Sequence, residues 1–150
     1  MEYILRPAMN DDLDFLFWLR LETMKPFFKD THGWDDTKER EKVFENLAHA
    51  RIVSVAEEDI GILKVIPKEN ELHLDQIQIR PEFQKTGIGA RLLHETIQYS
   101  EKLQMPITLF VIIKSPAKSL YERSGFIVTD TYEYHCKMRR EPDPNRMFPI

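Results

Sequence analysis

The sequence predicts an α+β domain of about seven strands and about four helices. Three observations predict it. Leu13, Leu16, Phe17, Leu21 and Met24 recur at the spacing of one helix face. From Arg51 the period changes to two, over three runs joined by short links. A long amphipathic stretch with Ile88, Leu92 and Ile97 inward is followed by 107–113, which reads as a strand buried on both faces.

Taken in order, residues 3–6 read as a strand stopped by Pro7, and Asn10 can cap a helix with Asp11, Asp12 and Asp14 in its first turn. Pro26 ends that helix. Residues 27–34 make an aromatic loop, and a second helix follows with Asp36 and Glu39 in capping-box spacing and Val43, Phe44 and Leu47 inward. The period-two runs are 52–55, 60–66 and 72–79, the pattern of an antiparallel meander. After the helix over 87–103 and the strand over 107–113, residues 115–123 form a short helix ended by Gly125, which suits a left-handed cap. Residues 126–129 and 134–138 close the sheet as an antiparallel pair. The domain is expected over 1–140, and 141–150, with Pro142, Pro144 and Pro149, form a proline-rich tail.

Composition narrows the function. The chain has 25 acidic against 21 basic residues, a formal charge of −4, so no electrostatic footprint for nucleic acid exists. No apolar run approaches the roughly 20 residues a spanning helix needs. The single cysteine, Cys136, excludes an internal disulfide and a zinc site built from cysteine pairs. His49, His94 and His135 lack metal-ligand spacing, and no metal is expected. The acidic opening residues differ from a secretory signal, so a cytoplasmic setting is predicted.

The chemistry concentrates in 77–90, where a strand, a turn and a glycine-opened helix follow one another. Such a helix start gathers backbone amides and partial positive charge at one point, which suits a pyrophosphate. A side chain at Gly87 or Gly89 would hold the anion off those amides. The pattern is neither a dinucleotide fingerprint, because position 92 is leucine, nor a Walker loop, because no Gly-Lys-Ser/Thr occurs.

Together with Ala117, Tyr121, Gly125 and Phe126 in the second stretch, Gln84, Gly87 and Gly89 closely resemble the two coupled motifs of the GNAT superfamily of acetyl-CoA-dependent N-acetyltransferases. The resemblance covers roughly residues 51–140 and implies the GNAT fold, a mixed, mostly antiparallel twisted sheet. It implies acetyl-CoA (coenzyme A) as co-substrate, its pyrophosphate on Gln84, Lys85, Thr86, Gly87, Ile88, Gly89 and Ala90 and its pantetheine on the backbone of Ile77, Gln78 and Ile79. The strand over 74–79 then splays from that over 107–113. Ser115 stands where asparagine is usual, and Lys85-Thr86 replace a glycine and basic pair, which shifts the phosphate grip toward backbone.

The implied reaction is attack of a primary amine on the thioester, with Tyr121 as acid to the leaving thiolate. A backbone amide of the strand over 74–79 would steady the oxyanion. His73 and Asp75 share one strand face and are both candidates for the base. Glu22, His32 and Asp35 compete with them or grip the acceptor ammonium, and Phe27, Phe28 and Trp34 would cover the acceptor cleft. Lys114 and Lys118, four apart, could meet the 3′-phosphate. The acceptor is a small-molecule amine or a protein N-terminus. The rival reading is a non-catalytic acyl-CoA-binding sensor or regulatory module. The final strand and the apolar tail with Phe148 and Ile150 offer a surface for a homodimer.

Overall fold

A computed structural model of the chain describes residues 1–29, 31 and 33–143. It contains one seven-stranded sheet in the order β1-β2-β3-β4-β5-β7-β6. The strands are β1 (Ile4–Pro7), β2 (Ala50–Val55), β3 (Glu58–Pro67), β4 (Leu72–Ile79), β5 (Ile107–Ile112), β6 (Ile127–Thr131) and β7 (His135–Arg140). The helices are α1 (Leu13–Met24), α2 (Asp36–Phe44), α3 (Ile88–Leu103) and α4 (Ala117–Arg123). No helix among the described residues is long and apolar enough to cross a membrane. The described residues form two compact units, Met1–Lys64 with Gln76–Leu92, and Val65–Asp75 with those from Leu93 onward.

In the first unit β1 and β2 pair antiparallel, Leu5 opposite Val53, and β2 pairs antiparallel with β3, Ile52 opposite Ile62. Leu16 and Leu19 of α1 pack with Val43 of α2, Ala50 and Ile52 of β2 and Ile62 of β3 into one buried apolar cluster. Gly61 belongs to β3 because β4 passes so close: a Cβ there would stand 2.6 Å from the Gln78 carbonyl oxygen.

Several local details depart from the sequence reading. Residues Asn10–Asp12 form a 3₁₀ turn, and Asp12 rather than Asn10 organises it, accepting from the Met9 amide at 2.8 Å and from Arg6 at 2.8 and 2.9 Å. The Arg6 guanidinium holds the Asp12 carboxyl below its usual range. Asp35 caps α2 by accepting from the Thr37 and Lys38 amides, so the Asp36–Glu39 capping box does not form. Glu39 is instead buried and accepts from Arg20 at 2.8 Å, while Lys42 reaches its other oxygen at 3.2 Å. Phe44, expected inward, is 60% exposed.

In the second unit β4 and β5 run parallel, Leu72 opposite Ile107 and His73 opposite Thr108. β5 and β7 are antiparallel, Leu109 opposite Met138, and β7 pairs antiparallel with β6. β5 is not buried on both faces throughout, since Phe110 is 51% exposed. Gly125 ends α4 at φ +95°, the left-handed region foreseen for it. Pro144, Phe148, Pro149 and Ile150 of the tail lie outside the described residues.

Glu39 and Arg20 test the tie between α1 and α2. Glu39→Ala leaves a buried guanidinium without its carboxylate and is expected to cost about 3 to 5 kcal/mol, read as a lower midpoint in guanidinium unfolding. A midpoint within error of the parent would show that the pair contributes nothing.

Candidate functional site

The turn after β4 is built from its own backbone. A 3₁₀ turn over Pro81–Phe83 leads out of the strand, and the Gln84 side-chain amide donates back to the Ile79 carbonyl at 2.9 Å, fixing the strand end. The Thr86 hydroxyl donates to the Phe83 carbonyl at 2.6 Å. Lys85 and Gly87 both take positive φ, +64° and +88°. Two left-handed residues two apart reverse the chain, and glycine serves where a side chain would cost roughly 1 to 2 kcal/mol.

The reversal opens α3. The Arg91 amide makes the first intrahelical bond, to the Gly87 carbonyl at 3.0 Å, so the amides of Ile88, Gly89 and Ala90 precede the hydrogen-bonded run. Ile88 is buried and anchors this turn. A Cβ built on Gly87 or Gly89 meets no atom within 4 Å. Protein packing thus does not ask for glycine at 89, although glycine within a helix costs about 1 kcal/mol against alanine. A bare backbone at a helix N-terminus suits close approach of a phosphate. In the same unit Ile77 is half-buried, and Gln78 and Ile79 are buried.

The titratable residues expected on β4 do come together. His73 is buried, and its Nε2 stands 3.8 Å from an Asp75 carboxylate oxygen. Its Nδ1 lies 2.9 Å from the Thr108 hydroxyl, which in turn donates to Glu71. Desolvation lowers the imidazole's pKa below its usual 6.5, although Asp75 pulls it up. The Thr108 hydroxyl, and secondarily Lys137 and Lys68, hold the Glu71 carboxyl below the usual carboxylate range. The Phe110 ring lies 5.7 Å from the imidazole. Glu71 and Thr108 were not singled out from the sequence. The available signal was a threonine inside an apolar strand, which requires a partner when buried.

On α4, Tyr121 is half-buried with its ring 5.6 Å from Phe126. Burial pushes its hydroxyl up to about 12, so it stays protonated at neutral pH. Ser115 turns its hydroxyl to the Ala117 amide at 3.2 Å and so opens the helix. Lys118 pairs with Glu122 at 3.1 Å on the same helix face.

Of the acceptor candidates, Glu22 is exposed on α1, and Phe27 and Phe28 are half-buried just after it. Phe28 meets Trp34 edge-on at 5.1 Å, and the Trp34 indole donates to Asp36 at 2.7 Å. Asp35 is committed to the α2 cap. His32 lies outside the described residues. No group of three or more histidine, cysteine, aspartate or glutamate side chains that could hold a metal ion exists among the described residues.

The family model of the acetyltransferase (GNAT) domain matches residues 22–137. No curated protein sequence matches the chain significantly. Among solved structures, the chain is similar to the PaiA N-acetyltransferase of Thermoplasma acidophilum in complex with coenzyme A. The TM-score is 0.73 at 19% identity, covering 94% of this chain and 99% of that one. It is similar to the ribosomal-protein-S18-alanine N-acetyltransferase of Escherichia coli, with a TM-score of 0.68 at 17% identity over 98% and 100% of the two chains. A GNAT-family acetyltransferase of Staphylococcus aureus gives a TM-score of 0.74 at 17% identity over 95% and 100%.

The lowered imidazole has a consequence for stability. Its folded pKa lies below the unfolded 6.5, so the unfolded chain binds the proton first and stability falls as pH drops from about 6.5 toward the folded value. His73→Gln is expected to remove that part of the slope in unfolding free energy measured between pH 7 and 5. Parallel pH curves for parent and variant would exclude the linkage.

Proposed function

The chain belongs to the acetyltransferase (GNAT) family, and we propose that it moves acetyl from acetyl-CoA to a primary amine by direct attack through a tetrahedral intermediate. The observation that carries this reading is the start of α3. Three leading amides and two glycines with open space at their Cβ positions sit within the span of the family match. The relative crystallised with coenzyme A supports the same choice of ligand.

The pyrophosphate is held by the amides of Gly87, Ile88, Gly89 and Ala90, where helix polarity favours an anion without a basic side chain. Lys85 and Thr86 belong to the same turn. Gln84 acts through the strand end, because its amide is bonded to Ile79. The backbone of Ile77, Gln78 and Ile79 takes the pantetheine amides, and a β4 amide steadies the oxyanion. Ser115 and Lys118, at the start of α4, complete the cofactor set, with Lys118 exchanging Glu122 for a phosphate.

An ammonium must lose a proton before it attacks. His73 takes that proton, directly or through a water chain, because a buried imidazole with lowered pKa is neutral at physiological pH. Asp75, 3.8 Å away, steadies the imidazolium so formed. Tyr121 gives its proton to the departing thiolate. Glu22, Phe27, Phe28 and Trp34 are assigned to the acceptor, as is His32 from the sequence alone; a small amine and a protein N-terminus are the two classes of acceptor. One relative's name specifies an alanine of a ribosomal protein, which supports including α-amino groups.

The deciding experiment titrates acetyl-CoA into parent and Gly89→Val protein by calorimetry. A Cβ there meets no other part of the protein within 4 Å, and in Gly89→Val protein with the parent's circular dichroism affinity is expected to fall more than tenfold, about 1.4 kcal/mol. Unchanged affinity removes the site. Thiol release across amino acids, polyamines and peptides with a free α-amino group then identifies the acceptor. On that acceptor Tyr121→Phe is expected to lose a large part of the roughly 10² to 10⁴-fold that acid catalysis supplies, with acetyl-CoA affinity unchanged. Turnover within about twofold of the parent would make the tyrosine a packing residue.

A further inference from the structure

Thr108 lies in β5 between Ile107 and Leu109 and has no exposed surface. A hydroxyl in such a place needs partners, and it has two. Its oxygen stands 2.9 Å from Nδ1 of His73, and its proton goes to Oε2 of Glu71. The parallel register places His73 directly opposite Thr108, so both side chains leave the sheet on one side. Glu71 immediately precedes β4, two residues before His73, and reaches the same hydroxyl at the same end of the strand.

The directions of these bonds follow from a count of hydrogens. Glu71 is held ionised by the Thr108 hydroxyl and by the positive charges of Lys137 and Lys68, so it only accepts. Thr108 has one hydrogen, and Glu71 takes it. The threonine oxygen then offers His73 lone pairs alone. The proton between His73 and Thr108 must therefore sit on Nδ1, which leaves the lone pair of the neutral ring on Nε2.

We infer that Glu71 and Thr108 are positioning residues that fix His73 in its Nδ1–H tautomer, so that Nε2 is the nitrogen that receives the acceptor's proton. This rests on the reading of His73 as base. No group is oxidised or reduced: one proton moves from an ammonium to Nε2, and the nitrogen lone pair it leaves behind attacks the thioester. The charged groups around the ring are Asp75 on its own strand, Glu71 and Lys68 in the link before it, and Lys137 on β7. Phe110 covers the ring from β5, and His135 of β7 lies beyond, 5.8 Å from Phe110. Only Thr108 stands within hydrogen-bond distance of Nδ1 among the described residues, and Asp75 at 3.8 Å is the carboxylate that faces Nε2.

The test reads the tautomer directly. Long-range proton–nitrogen correlation spectra of ¹⁵N-labelled parent protein are recorded above the imidazole titration, with the His73 signals identified by their loss in His73→Gln. The parent is expected to show a protonated Nδ1 and a bare Nε2. Thr108→Val, equal in shape but without a hydroxyl, is expected to move the proton to Nε2, and Thr108→Ser to restore it. Glu71→Gln, whose amide can donate, frees the threonine hydrogen to turn toward Nδ1 and gives Nε2–H as well. On the best acceptor of the amine panel, Thr108→Val is expected to lose tenfold or more in kcat with the KM for acetyl-CoA within twofold, and Thr108→Ser to recover most of that loss. A parent ring protonated on Nε2, or a tautomer unmoved by both Thr108→Val and Glu71→Gln, overturns the inference. If the tautomers behave as stated but His73→Gln turns over within twofold of the parent, it is the base assignment that falls, and with it the catalytic purpose of the relay.

Discussion

Glu101 is a fully buried carboxylate, and much of the second unit is arranged around keeping it satisfied. Removing a carboxylate from water costs several kcal/mol even after relaxation, so partners must be present and well placed. Arg140 donates to one oxygen at 2.7 Å and the Asp143 amide to the other at 2.8 Å. The same Arg140 donates from Nε to the Ser124 carbonyl at 2.9 Å, just beyond α4. Gly125 follows at φ +95°, and a Cβ there would press on the Arg140 guanidinium at 3.3 Å. One buried charge on α3 thereby sets where β7 ends, where α4 stops and how Phe126 enters the core. α4 has seven residues, far fewer than the roughly 12 to 15 an isolated helix needs in water. Its C-terminal end is tied to the Glu101–Arg140 pair through the Ser124 carbonyl, and Tyr121 upon it lies beside Phe126.

The turn before α3 was legible in the sequence because its conformation leaves a residue-level mark. A φ near +90° selects glycine, so the Gly87 backbone is written in the sequence itself. Gly125 was legible for the same reason. The cap of α2 was not. Asp35 and Asp36 both suit an N-cap by type, and Glu39 at the right spacing favoured the second. What decided it lies nineteen positions away: Arg20, buried on α1, draws the Glu39 carboxylate into an ion pair, and the cap shifts to Asp35. A buried guanidinium without a partner costs more than a box worth about 1 kcal/mol, so the tertiary interaction wins.

The face shared by His73 and Asp75 could be read from the period of two, yet the surroundings of the His73 ring could not. Its partner Thr108 is 35 positions away, and only the parallel register of β4 on β5 sets the two opposite. Local sequence carries no signal for that register. A buried threonine in an apolar strand signals that some partner exists, and gives no hint of which. Proton affinity is a tertiary property here: burial lowers it and Asp75 raises it, and in the proposed relay the Glu71–Thr108 pair selects the nitrogen.

Two kinds of chemistry are therefore supported in two ways. The anion grip proposed for the first unit is made of backbone, which needs glycines and a helix start but no particular side chain, and so places no demand on the side chains of Lys85 and Thr86. The proton chemistry proposed for the second unit is made of side chains, each of which is only as good as the partner that orients it. The aromatic segment around Phe28 and Trp34 is different again, because its contacts are local: an edge-on ring pair and an indole bonded to an aspartate two residues on. None of those contacts reaches the buried cluster formed by Leu16, Leu19, Val43, Ala50, Ile52 and Ile62. A segment held by its own neighbours can change side chains without disturbing the core. If that segment meets the acceptor as proposed, its side chains can vary at little cost in stability, while the α3 turn and the His73 contacts are fixed by the fold.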